Sequence, residues 1–178
     1  MFEEAPYGAY NFNVLRGILE GFAIIQNGMG VEVGVFEGGT SMYLLQSFPQ
    51  LTLVSVDPYK AYHEYDQEKL NQAEAAALDR LKPYGERSRR LKLDSITAAK
   101  SFPDNCFDFV FIDASHTYDA VSADLEAWYR TVRPGGLFSG HDYRWGGVTK
   151  AVDEFAEARS IKGRCSPKES DIWYFNKR

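Results

Sequence analysis

Cysteine is scarce: the chain has two, Cys106 and Cys165. With no CxxC and no Cys/His spacing of the zinc type, neither a disulfide scaffold nor a structural zinc site is expected; two free, partly buried thiols are. No apolar run approaches the ~20 residues that cross a bilayer. No basic start followed by an apolar stretch opens the chain, so no signal peptide is expected and a cytoplasmic location is. Positive charge is not in excess either. The 20 basic and 25 acidic residues leave a formal charge of −5, which offers no broad field to nucleic acid or anionic lipid. One basic cluster, Arg87, Arg89 and Arg90, leads into a predicted strand and reads as a solvated loop. Internal repeats, low-complexity tracts and linkers are also missing. What remains is an ordinary globular mixture of 178 residues, 44% hydrophobic and 25% charged. It favours one domain over residues 1–178, with 1–27 as a helical segment before the first strand.

Apolar positions at Phe12, Val14, Leu15, Ile18, Leu19, Phe22 and Ile25 predict a helix over 11–26, ended by Asn27-Gly28. A strand follows over 30–34, then a Gly38-Gly39 turn and a helix over 40–48. The alternation continues with strands predicted at 51–56, 90–93, 107–112, 137–139 and 172–175. Helices are predicted between them at 59–84, 95–101, 118–132 and 148–159, and Pro134-Gly135-Gly136 reads as a turn before the fifth strand. Several strands are apolar on both faces and need helices on both sides. The class is α/β, an open, doubly wound and mostly parallel sheet of Rossmann-like type.

In such a sheet, ligands bind beyond the carboxyl ends of the strands. The first strand delivers Gly34 to Gly39 to that edge, where glycine permits close approach and a helix start offers N–H groups. A dinucleotide fingerprint wants G-x-G-x-x-G, but Phe36 stands in the second glycine position, which argues against a pyrophosphate. Glu32 puts an acid inside an apolar strand and needs a partner. Two readings stay open for it: a loop N–H or lysine, or contact with a cationic ligand or the amines that hold one. Asp57, after the second strand and before Pro58, is placed to accept from ribose hydroxyls, or else starts a turn. Asp94-Ser95 can cap the next helix and reach an adenine amino group as well.

Val31-Glu32-Val33-Gly34-Val35-Phe36-Glu37-Gly38-Gly39-Thr40-Ser41, Ser55-Val56-Asp57-Pro58, Phe111-Ile112-Asp113 and Arg133-Pro134-Gly135-Gly136 resemble, in order and spacing, the motifs of class I S-adenosylmethionine-dependent methyltransferases. The resemblance covers residues 11–178 and is strongest to the small-molecule O-methyltransferases, the catechol and macrolide-sugar enzymes among them. It implies a strand order 3-2-1-4-5-7-6 with an antiparallel last strand. It also implies S-adenosylmethionine as cofactor, bound by Glu32, Gly34, Phe36, Gly38, Gly39, Thr40, Ser41, Asp57, Pro58, Asp94, Ser95 and Asp113.

In that order the fourth and fifth strands are neighbours. Their ends then bring Asp113, His116, His141 and Asp142 into one crevice. A neutral hydroxyl is a poor nucleophile; a divalent cation lowers its pKa and a histidine can take the proton. The resemblance carries Mg²⁺ or Mn²⁺ ligation onto Asp113 and Asp142, with His141 where an acid would stand, and the base role onto His116, with Asp113 beside it in the catalytic site. Each also has a structural reading: Asp113 on loop N–H groups, His116 as a helix cap, His141 on a backbone carbonyl. Tyr59, Tyr62, His63, Tyr65 and Trp145-Gly146-Gly147 are pocket walls or packing residues. The aromatic N-terminus (Phe2, Tyr7, Tyr10, Phe12) points to a homo-oligomer. The expected activity is metal-assisted O-methylation of a hydroxylated small molecule, with no nucleic acid or membrane partner. The alternatives are an aminopropyl transferase using decarboxylated S-adenosylmethionine and a non-catalytic S-adenosylmethionine-binding domain.

Overall fold

The computed structural model describes residues 9–21, 28–62, 64–161 and 170–178, with only the backbone at Ala9 and Tyr10. The expectations resting on Phe2, Tyr7, Phe22, Ile25, Asn27, His63 and Cys165 lie outside the described residues. Cys106 is a free, half-buried thiol, as expected.

Apolar runs become strands where helices cover both faces. The strands are β1 (Met29–Val33), β2 (Thr52–Val56), β3 (Ser88–Leu91), β4 (Phe107–Ile112), β5 (Val132–Gly140) and β6 (Trp173–Asn176). The helices are α1 (Ala9–Gly21), α2 (Gly39–Ser47), α3 (Gln67–Leu81), α4 (Ser95–Lys100), α5 (Tyr118–Tyr129) and α6 (Gly146–Ala158). Because side chains alternate across a strand, Phe109 and Phe111 of β4 join Leu15, Leu19, Leu44 and Leu45 of α1 and α2. Val110 and Ile112 face the other way, onto Leu125, Trp128, Val152 and Phe155 of α5 and α6. The sheet is thus the middle layer of three.

Strand order is β3-β2-β1-β4-β5-β6, parallel throughout except that β6 runs antiparallel to β5. This is the expected order with one strand fewer: six lie among the described residues, matching the six apolar runs rather than the seven implied by the resemblance.

Several boundaries move for identifiable reasons. The described residues between 59 and 66 are not helical: Pro58 and a left-handed Tyr59 (φ 47) precede them, and Asp66 caps α3 by accepting from the Lys69 N–H at 2.8 Å. Helix α5 ends at Tyr129, because β5 already begins at Val132. Pro134-Gly135-Gly136 lies inside β5 rather than before it. The strand bulges there, its register shifting between Phe107↔Val132 and Phe109↔Leu137. β3 begins two residues early, and its basic cluster is not a solvated loop. The Arg87 guanidinium donates to the carbonyls of Leu45, Phe48 and Leu51 at 3.2–3.3 Å, capping the end of α2. Arg90 donates to Glu74 at 2.6 Å.

Gly34 fixes how closely the site's two halves meet. Its φ is +90, and a Cβ there would lie 2.0 Å from the Asp113 carbonyl oxygen. Only glycine lets the end of β1 press against the end of β4 in this way.

Candidate functional site

The carboxyl ends of β1, β2, β4 and β5 share one edge of the sheet. At β1, the backbone bends through Gly34, Phe36 (φ 49) and Gly38 (φ 78) into α2. A phenylalanine in the left-handed region is strained and must be held. Asp57 does much of the holding. Its Oδ2 accepts from the N–H groups of Val35 (2.9 Å) and Phe36 (3.0 Å), and its Oδ1 from Tyr59 (2.8 Å). The Tyr59 hydroxyl donates to the Phe36 carbonyl at 3.0 Å, and the Phe36 ring stacks on Tyr65 with centroids 5.1 Å apart. Tyr59 is therefore a buried brace rather than a pocket wall, whereas Tyr62 is exposed. Pro58 is exposed at the turn.

Glu32 is only 1% exposed. Its partner is neither a lysine nor a loop N–H. The Ser41 hydroxyl donates to it, and Ser41 in turn pairs with Ser55 at 2.8 Å, tying β1, α2 and β2 together. Burial, reinforced by the nearby Asp113, pushes the Glu32 carboxyl up to about 8 against the Ser41 bond. Thr40 follows Gly39 in the first turn of α2. Asp94 caps α4, accepting from the Thr97 N–H at 2.9 Å. Ser95 donates to Asp124 and accepts from the Trp128 indole at 2.8 Å. Its hydroxyl is committed inward.

The ends of β4 and β5 bring the four predicted residues together. Asp113, His141 and Asp142 offer ligand atoms all within 4.8 Å of one another. His141 Nδ1 lies 3.2 Å from Asp142 Oδ1 and 3.6 Å from Asp113 Oδ1. His116 Nε2 is 2.8 Å from Asp142 Oδ2, and Trp145 stacks on the His116 ring at 4.8 Å. Gly147 makes room for this loop: a Cβ on it would come within 2.5 Å of the His116 carbonyl oxygen. Asp142 adopts φ 58, which turns its carboxylate between the two imidazoles.

Electrostatics follow from that geometry. Burial pushes the Asp113 carboxyl up to about 6, with His141 working against it and Asp142 for it. Burial acts the same way on Asp142, yet hydrogen bonds from His116 and His141 outweigh it and hold the carboxyl well below the usual range. The bond to Asp142 lifts His116 to about 9 against partial burial. Burial disfavours charge on His141, but Asp142 and Asp113 prevail and leave it raised.

Two residues at this cluster lie beyond sequence reading. The side-chain amide of Asn11 in α1 is 2.8 Å from His141 Nε2. Glu64 places Oε1 3.5 Å from His116 Nδ1, a buried nitrogen with no hydrogen bond among the described residues. Neither sits in a motif. Only the packing of α1 and of the loop before α3 brings them in.

A family model described as a methyltransferase domain matches residues 31–143, from within β1 to just past β5. An uncharacterized protein, R132, of Acanthamoeba polyphaga mimivirus is 29% identical over 151 residues, 80% of this chain and 65% of that protein. The chain thus spans about 65% of the length of the curated relative it matches. Among solved structures, the calicheamicin methyltransferase CalS11 superposes with a TM-score of 0.71 at 13% identity, over 97% of this chain and 80% of that one. A protein from Corynebacterium glutamicum gives 0.69 at 19% identity, over 98% and 82%. The O-methyltransferase TomG from Streptomyces achromogenes, solved in complex with SAM, gives 0.67 at 15% identity, over 97% and 82%. The structural likenesses establish the fold, and the family model covers well over half the chain. The chain belongs to this methyltransferase-domain family, and its sheet is that of the class I S-adenosylmethionine-dependent methyltransferases.

Proposed function

We propose that residues 1–178 form one S-adenosylmethionine-dependent domain that methylates an oxygen of a hydroxylated small molecule, assisted by Mg²⁺ or Mn²⁺. The carrying observation is the convergence of Asp113, His141 and Asp142 beside His116, next to the glycine turn. CalS11 is described as a TDP-rhamnose 3'-O-methyltransferase and TomG as an O-methyltransferase, which supports an oxygen acceptor, a sugar or another hydroxylated metabolite.

The donor set suits a divalent cation. Two carboxylates and an imidazole face one point, and one of the acids is kept partly protonated by burial and by its acidic neighbour. Carboxylates suit magnesium, and the imidazole favours manganese. Such an ion, when bound, supplies the charge that acidifies an acceptor hydroxyl and offsets the acids that keep a proton on His116.

The chain's own residues divide the remaining work. Gly34, Phe36, Gly38 and Gly39, with Thr40 and Ser41 behind them, shape the donor's seat; Glu32 acts through Ser41. A carboxylate has about four acceptor sites. Asp57 uses three on backbone N–H groups, leaving one to orient a ribose hydroxyl near Pro58. Asp94 marks the adenine end, with Ser95 holding α4 in place. His116 is the proton acceptor, its ring held by Asp142 at Nε2 and by Glu64 at 3.5 Å from Nδ1, with Trp145 stacked on its face. In-line transfer needs donor and acceptor held in one geometry, and the sharing of one strand edge by the glycine turn and the cluster supports that reading.

Formation of S-adenosylhomocysteine with TDP-sugar and catechol acceptors tests this reading. Turnover should vanish in excess chelator and return with Mn²⁺ or Mg²⁺. His116→Ala should lower kcat ~10²-fold while sparing donor affinity. Unchanged turnover in chelator would refute metal assistance, and a near-normal kcat in the variant would refute the base.

A further inference from the structure

Helix α1 touches the cluster through one side chain. Asn11 sets Nδ2 2.8 Å from His141 Nε2, across 130 residues of sequence. His141's other nitrogen faces the acids, 3.2 Å from Asp142 Oδ1 and 3.6 Å from Asp113 Oδ1. A neutral imidazole carries one proton, and the partner of one nitrogen decides what the other can do. With the Asn11 amide donating to Nε2, the proton sits on Nδ1 and points at the two carboxylates. That nitrogen then has no lone pair for an ion. An amide, however, offers a donor and an acceptor related by a half-turn of its end group. With Oδ1 toward the ring, Nε2 keeps the proton and Nδ1 turns a lone pair on the point shared with Asp113 and Asp142.

The contact is not what secures α1. Leu15 and Leu19 are buried in the core, Phe12 stacks on Tyr43 at 5.2 Å, and the Tyr43 hydroxyl donates to Asn13 at 2.7 Å. These contacts hold Asn11 beside His141.

We propose that Asn11 is a positioning residue for the metal site: by presenting its amide oxygen to His141 Nε2 it moves the imidazole proton away from the acids and makes Nδ1 a ligand. The inference rests on the metal-assisted reading above. Outer partners of metal-bound histidines act in this way, and their loss weakens metal binding ~10–100-fold.

The test uses the full chain with Mn²⁺ alone as titrant in a calorimeter, and the ring ¹⁵N shifts of His141 in metal-free protein at a pH where the ring is neutral. Asn11→Leu should bind Mn²⁺ at least ~10-fold more weakly than wild type. Asn11→Asp, a pure acceptor of similar size, should bind as tightly or more so and place the His141 proton on Nε2. Equal Mn²⁺ affinity in wild type and Asn11→Leu overturns the role of Asn11 while leaving the metal site standing. A His141 proton found on Nδ1 in Asn11→Asp overturns it as well. Absence of Mn²⁺ binding to the wild type instead removes the metal-assisted reading, and this inference with it.

Discussion

A carboxyl group in the middle of a buried strand raises a question of partners, and at Glu32 the answer is a chain of hydroxyls rather than a charge. A buried acid paired with hydroxyls rather than with a cation, and with another acid nearby, keeps its proton. Since the Glu32 carboxyl is raised from 4.5 to about 8, the folded chain binds a proton that the unfolded chain releases over that interval. More protons in the folded state means that stability falls as pH rises through it, by up to ~1.4 kcal/mol per pH unit. Glu32→Gln should therefore flatten the decline in urea-unfolding free energy between about pH 4.5 and 8 and leave the variant the more stable form at the upper end. An unchanged slope would show that Glu32 is ionised in the fold. At this scale the sequence disclosed the site unevenly. Asp113, His141 and Asp142 were legible because apolar runs end at them, and parallel neighbours bring such ends together. Asn11 and Glu64 were not, because their places depend on how a helix and a loop lie across the strand ends. His116 was legible as a member of the cluster but not as a group lifted to about 9, which needs the distance to Asp142.

The elements were read more surely where burial decided them. β4, apolar on both faces, fell on its predicted bounds, since alternate residues feed two separate cores. The failures lie where local chemistry overrides apolar content. The aromatic stretch after Pro58 looked helical, yet Tyr59 is drawn down as a brace under Phe36. The basic run before β3 looked solvated, yet Arg87 finds three carbonyls at the end of α2. Helices α4 and α5 are joined by a polar bridge, in which Ser95 links Asp124 to the Trp128 indole. Asp124 is nearly buried, and its carboxyl is raised to about 6 by that burial, so the bridge leaves little slack. Ser95→Ala strands both partners and should cost ~1–3 kcal/mol in urea unfolding while changing S-adenosylhomocysteine affinity little. Weakened binding at unaltered stability would instead make Ser95 a direct ligand contact.

For the molecule as a whole, sheet order counts for more than any single motif. Placing β1 between β2 and β4 puts the glycine turn beside both Asp57 and Asp113, and placing β5 next to β4 adds His141 and Asp142. The glycine turn and the carboxylate–imidazole cluster therefore share one edge of one sheet. The family match and TM-scores of 0.67–0.71 at 13–19% identity reflect the same layout kept with very different side chains. A net charge of −5 offers no broad positive field to a polyanion. Among the described residues no helix is long and apolar enough to cross a membrane. The most direct test of the central claim is a calorimetric titration of the full chain with S-adenosylmethionine and S-adenosylhomocysteine. One site per chain for each ligand, strongly weakened in Asp57→Ala, is the predicted result; no heat from either at millimolar concentration would contradict it.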